Sequence, residues 1–165
     1  MTPWLRAAYD REAPRYDDRF EAQQAPKIHR LDGLLPSAPG LTLDLGAGTG
    51  LLHRLTGRAV LQIDGSVGML AQARGPRVLA DLERLPLPTG VAAAAFCVTA
   101  LIGPASPLPA LAEALRVLTP GGWLALSVSR HEDPEPVART LADLGFHILQ
   151  HLDMLDDVGW IARRP

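Results

Sequence analysis

The residues best suited to chemistry stand at three places where a short apolar run stops. The first is Asp44-Leu-Gly-Ala-Gly-Thr-Gly50, which closes the run 41–45. Its alternating glycines omit the Cβ atoms that would hold a ligand off the backbone, and they permit a tight turn into a helix start. The spacing is G-x-G-x-G behind an acid, not the G-x-G-x-x-G of a dinucleotide fingerprint. The second place is Asp64, 14 residues beyond Gly50. A carboxylate there can accept hydrogen bonds from two ribose hydroxyls, and its charge disfavours a 2′-phosphate. The third is Asp81-Leu82, where a carboxylate and the next backbone N–H suit an adenine edge. Each acid taken singly is as readily an ordinary turn residue. In this order, at consecutive strand ends, they point to one ligand that carries a nucleoside.

Such a ligand needs a sheet whose strands end along one rim, because in open α/β sheets ligands lie beyond the carboxyl ends where the strand order reverses. The pattern predicts strands at 41–45, 59–63, 78–80, 91–98 and 123–128, with helices at 51–55, 69–73, 108–118 and 134–144 between or after them. Two closing strands, 146–152 and 158–162, are too close for a helical crossover and predict an antiparallel hairpin. Residues 1–40 differ: apolar residues recur every three or four positions among charges. This predicts two short helical pieces broken at Pro14, then a further helix over 26–35. The expected architecture is a Rossmann-like, doubly wound, seven-stranded α/β sheet in three α/β/α layers, mainly parallel with a C-terminal antiparallel hairpin. Residues 1–165 are read as one domain, a helical N-terminal extension (1–40) before a binding core (41–165).

Composition narrows the function. Apolar residues are 47% and charged residues 21% of 165, a globular balance that excludes a disordered chain. A net charge of −2 and scattered Trp4, Trp123 and Trp160 offer neither electrostatic attraction nor a stacking platform for nucleic acid. The weakly polar stretch 91–102 is too short for a membrane span, and 1–20 lacks the apolar region of a signal peptide. Cys97, the sole cysteine, fits a reducing, cytoplasmic setting and, inside a predicted strand, a core residue rather than a nucleophile. No metal site is expected, since His147 and His151 fall in a predicted strand where four residues span about 13 Å.

Taken with these motifs, the sequence resembles class I S-adenosylmethionine-dependent methyltransferases, of the small-molecule type related to quinone-biosynthesis methyltransferases. Leu43-Asp-Leu-Gly-Ala-Gly-Thr-Gly50 is similar to their first motif, Ile63-Asp-Gly-Ser-Val-Gly-Met-Leu70 to the ribose segment, and Ala80-Asp-Leu-Glu-Arg-Leu-Pro-Leu-Pro88 to the adenine segment. Leu111-Ala-Glu-Ala-Leu-Arg-Val-Leu-Thr-Pro-Gly-Gly-Trp-Leu124 resembles the closing helix, turn and strand, and Tyr9-Asp-Arg-Glu-Ala-Pro-Arg-Tyr16-Asp the preceding N-terminal element. The resemblance implies S-adenosyl-L-methionine as cofactor. Gly46, Ala47 and Gly48 would lie against its methionine, and Asp44 near the ammonium, directly or through water; by position, Tyr9 and Tyr16 close the pocket or meet the carboxylate, and as readily only pack the N-terminal helix. Asp64 would hold the ribose, Gly65 and Met69 would flank the adenine, Asp81 and Leu82 would bind its edge, and Thr99 would approach the sulfonium.

The implied activity is in-line methyl transfer to a small-molecule acceptor, with no residue choosing among O-, N- and C-methylation. No catalytic residue is fixed; His131, just past the fifth strand, is the positional candidate for a base, and as readily an exposed loop histidine. Departures from the family pattern are Ala92 in place of an Asp, Gly65 in place of an aliphatic residue, and the lack of a capping insertion. Substrate recognition is then left to residues 1–35, to 101–108, or to a second subunit in a homodimer. These departures keep open a non-catalytic S-adenosylmethionine-binding or scaffold protein; an NAD-dependent reductase is disfavoured by the glycine spacing.

Overall fold

A computed structural model describes residues 1–37, 39–101 and 106–165. The chain runs α1 (Pro3–Glu12), a 3-10 turn (Ala13–Arg15), α2 (Tyr16–Leu34), β1 (Leu41–Leu45), α3 (Leu51–Thr56), β2 (Leu61–Asp64), α4 (Val67–Gln72), β3 (Arg77–Leu79), β4 (Ala92–Val98), α5 (Leu108–Val117), β5 (Leu118–Ser129), α6 (Glu135–Asp143), β6 (His147–Asp153) and β7 (Asp157–Arg163). The strands form one seven-stranded sheet in the order β3-β2-β1-β4-β5-β7-β6. β1 pairs in parallel with both β2 and β4, so the order reverses there and opens the crevice in which such sheets bind ligands. β7 is antiparallel to β5 and to β6, the expected closing hairpin.

The central strands are apolar on both faces because helices cover both. On one face α5 and α6 bury Leu111, Ala114, Val137 and Leu141 against Leu43, Leu45 and Leu126. On the other, Ile28 and Leu31 of α2 and Leu51 and Leu52 of α3 pack on Ala94, Phe96 and Ala125. The alanines of β4 leave the volume these helices fill. Ala92 is one of them, fully buried and paired with Leu41 and Leu118.

Two expectations need correction. The helix expected over 26–35 is the second half of α2, which runs unbroken through Pro26. A proline inside a helix removes one hydrogen bond and crowds the preceding turn. Here the flanking Gln24, Lys27, Ile28 and Leu31 are all buried, and that docking keeps the helix continuous despite the cost. The turn expected at 119–122 is a bulge within β5, where the pairing jumps from Ala92–Leu118 to Ala94–Trp123. The break at Pro14 is as expected. No described helix is long and apolar enough to cross a membrane.

Candidate active site

The rim at the ends of β1, β2 and β3 is built from the residues whose types suggested chemistry. The glycine loop after β1 is tied to β2: Gly46 and Ala47 donate their N–H groups to the Ile63 carbonyl at 2.8 and 3.0 Å, and Gly48 donates to Asp64 Oδ2 at 2.9 Å. All three glycines have positive φ, as the tight turn requires, and two of them have a further reason to lack a side chain. A Cβ at Gly46 would stand 2.3 Å from the Ala100 Cβ, and one at Gly50 2.3 Å from Gln62 Oε1, so this space admits protein neighbours.

Asp64 Oδ1 accepts the Ser66 N–H at 2.8 Å, so each of its oxygens already holds one donor and retains further acceptor capacity. Burial raises its pKa against the opposing pull of those N–H groups. Asp44, next to it on β1, is in a different condition. It is 3% exposed, and its Oδ2 has no partner among the described residues. Burial, aided by the Asp64 charge, pushes its pKa up to about 7. An orphaned buried acceptor costs free energy until a donor or cation meets it. Asp44 opens on a cavity of about 40 Å³ that it shares with Gly46, Ala47, Gly48, Thr49, Leu51, Leu52 and Val98, and with Tyr16, Gln24 and Ile28 of α2. Burial and neighbouring negative charge push the Tyr16 phenol up to about 12, so at neutral pH it remains a proton donor.

The β3 side of the rim is covered by the N-terminal segment. Asp81 Oδ2 receives the Met1 ammonium at 3.0 Å, and its Oδ1 accepts the Glu83 N–H at 3.1 Å. The Met1 methyl reaches Gly65, 3.0 Å from where a Cβ would stand, so Met1 lies in the gap between Gly65 and Asp81. Asp10 of α1 accepts from Ser66 Oγ at 2.5 Å and from the Gly68 N–H at 2.8 Å. Met69 is buried beneath this edge, its methyl against Gly48, and Leu82 lies against Gly46 and lines a small apolar pocket with Leu45 and Cys97.

Thr99, at the end of β4, stands on the rim without lining the cavity, and its hydroxyl lies 2.7 Å from Asp157 Oδ2. Its φ of 51° is left-handed, an outlier for a β-branched residue. His131 is exposed beyond β5 and does not line the cavity. His147 and His151 are exposed on β6, and no metal-binding group of His, Cys, Asp or Glu occurs among the described residues. Cys97 is buried, and that burial pushes its thiol up to about 12, so it is no nucleophile. Of the substrate-recognition segment expected at 101–108, residues 102–105 lie outside the described residues.

Sequence reasoning missed the polar cluster beside this cavity. Lys27 of α2 donates to Asp157 Oδ1 at 2.6 Å, and Asp157 Oδ2 also accepts from Ser127 Oγ at 2.7 Å. The signal was available: Gln24 and Lys27 share a helix face with Ile28 and Leu31, and polar residues on an apolar stripe need partners.

Comparison with known proteins bears on this geometry. Residues 43–126, half the chain, match the family described as methyltransferase domain. A malonyl-[acyl-carrier protein] O-methyltransferase of Dechloromonas aromatica is 34% identical, matched over 89% of this chain and 54% of its own length. Human methyltransferase-like protein 27 is 37% identical over 72% of this chain and 55% of its own. The chain therefore spans about half the length of the curated relatives it matches. A crystal structure from Thermotoga maritima, titled as a SAM-dependent methyltransferase and possible histamine N-methyltransferase, superposes with a TM-score of 0.79 at 19% identity. That match covers 95% of this chain and 98% of the other, and it shows a shared fold.

Proposed function

The chain belongs to the methyltransferase-domain family, and from that premise we propose that it binds S-adenosyl-L-methionine along the rim of β1, β2 and β3 and transfers its methyl group to a small acceptor. The observation that carries this reading is the orphaned Asp44 Oδ2 facing the cavity at the glycine loop, beside an Asp64 with acceptor capacity to spare. An amino-acid ammonium satisfies the first carboxylate and a ribose the second.

S-adenosylmethionine supplies a methyl already activated on a sulfonium. The protein's part is to orient and exclude water, which in well-aligned systems supplies roughly 7–11 kcal/mol of barrier reduction. In this reading Asp44 and the loop 46–48 hold the methionine end, with Tyr16 as a donor toward its carboxylate. Asp64 fixes the ribose, and Asp81 with Leu82 meets the adenine edge. Met1 must leave the gap between Gly65 and Asp81 for the base to enter. The names of the relatives favour O-methylation, with a malonyl thioester as the first acceptor to try.

Isothermal titration with S-adenosylmethionine and S-adenosylhomocysteine tests the first half. Turnover with malonyl-N-acetylcysteamine and a panel of phenols and amines, read as S-adenosylhomocysteine release, tests the second. Binding with turnover is the expected result. Failure to bind either nucleoside defeats the proposal, and binding without turnover on the whole panel turns it into a scaffold.

A further inference from the structure

A partly buried set of hydrogen bonds bears on the direction of one amide at the cavity. The Thr99 hydroxyl lies 2.7 Å from Asp157 Oδ2 and 3.3 Å from the amide end of Gln24. It owns one proton and faces two would-be acceptors if that amide end is oxygen. Asp157 takes the proton, because it is the nearer and the charged acceptor, and its charge is held in place by Lys27 at 2.6 Å. Ser127 Oγ donates to the same oxygen and accepts the Thr99 N–H at 3.2 Å, so its proton is committed to Asp157 as well. The two ends of a glutamine amide are alike in shape, and only hydrogen bonding tells them apart. The structure places Oε1 against Thr99, but the proton count favours the flipped amide, with its nitrogen as donor to the Thr99 lone pair and its oxygen on the side of the cavity that Gln24 lines.

That cavity is lined by Asp44, whose Oδ2 has no donor among the described residues. We infer that Gln24, on α2, is a specificity-determining residue: its amide oxygen and Asp44 together receive the ammonium of the ligand's amino-acid end, and Thr99, Asp157 and Lys27 are positioning residues that set its direction. The inference rests on the S-adenosylmethionine reading and deepens it. The left-handed turn at Thr99 has a use in this account, since it is what brings the hydroxyl between Asp157 and Gln24.

The test compares S-adenosylhomocysteine with 5′-deoxy-5′-(3-carboxypropylthio)adenosine, which keeps the nucleoside, thioether and carboxylate and lacks only the ammonium. Calorimetric affinities of both are measured for the wild type, Gln24→Leu, Thr99→Val and Thr99→Ser. Gln24→Leu is expected to weaken S-adenosylhomocysteine by roughly 10-fold or more, the size of a hydrogen bond to a charged group, and to leave the deaminated ligand within about twofold. Thr99→Val frees the amide to turn and weakens the same ligand selectively; Thr99→Ser, which keeps the hydroxyl, restores it. Equal losses for both ligands, or none for S-adenosylhomocysteine, overturn the assignment, as does a wild type that does not discriminate between the two. A wild type that binds neither defeats the underlying cofactor reading instead.

Discussion

Across β1 and β4 the rim is covered by α2, which buries Gln24, Lys27, Ile28 and Leu31. Across β2 and β3 it is covered by α1, which buries no residue at all and leaves Trp4 69% exposed. The first cover is fastened by an apolar stripe and an ion pair with side chains 5% and 0% exposed. The second is fastened by partly buried polar contacts, Asp10 on Ser66 and Gly68 and Met1 on Asp81. Buried pairs lose much when one partner goes, whereas partly exposed ones are screened. The half of the rim proposed for the methionine end is therefore preorganised, while the half proposed for the base is covered by a segment that can leave.

The largest expected effect lies in the fixed half. Lys27→Met strands the Asp157 charge in the core, and unfolding by urea should show a loss of about 3–5 kcal/mol. Adding Asp157→Leu should recover much of it, because a well-packed apolar pair tolerates burial without desolvation cost. If Lys27→Met is neutral, the contrast between the two covers is broken.

The next effect lies where the halves meet. Asp64→Ala should weaken S-adenosylhomocysteine by roughly 1.5–3 kcal/mol in calorimetry, the range for hydrogen bonds to a charged group. Unchanged affinity would remove the ribose from this strand end.

Asp44 sharpens the comparison through pH. With its folded pKa near 7, above the unfolded value of about 3.9, the folded state holds an extra proton between those limits. Its contribution to stability is thus greatest in acid and declines as pH rises from about 4 to 7. Affinity for an ammonium runs the other way and increases as Asp44 ionises through about pH 7. Asp44→Asn should flatten both curves, and pH-independent binding by the wild type would contradict the ammonium contact.

The smallest effect belongs to the loosely held cover. Asp10→Ala should cost about 1 kcal/mol or less of stability, since it removes hydrogen bonds that are only partly buried. Amide exchange should nevertheless rise in α1 and stay unchanged in α2. Equal loosening of both helices would mean that they are one unit.

Much of this was legible in the sequence, for identifiable reasons. Asp44, Asp64 and Asp81 each stand where an apolar run ends, and a strand end is a local signal, so the strands and the rim could be read from spacing, whereas the order of the strands in the sheet could not. The Lys27–Asp157 contact joins residues 130 apart along the chain and has no local signature. The family resemblance implied Thr99 near the sulfonium, but nothing local announced that its hydroxyl would donate to a carboxylate arriving from β7. Pro26 looked like a helix start because its local cost is real; tertiary docking of its neighbours overrode it. The glycine loop was legible as a tight turn, whereas the packing of Ala100 and Gln62 into the space at Gly46 and Gly50 was not.

The most direct test is a crystal structure grown with S-adenosylhomocysteine. The ammonium should lie against Asp44 and Gln24, the ribose hydroxyls on Asp64, and the adenine between Gly65 and Leu82 with Met1 displaced while α2 stays in place. A nucleoside bound elsewhere, with Met1 still lodged between Gly65 and Asp81, would contradict this arrangement.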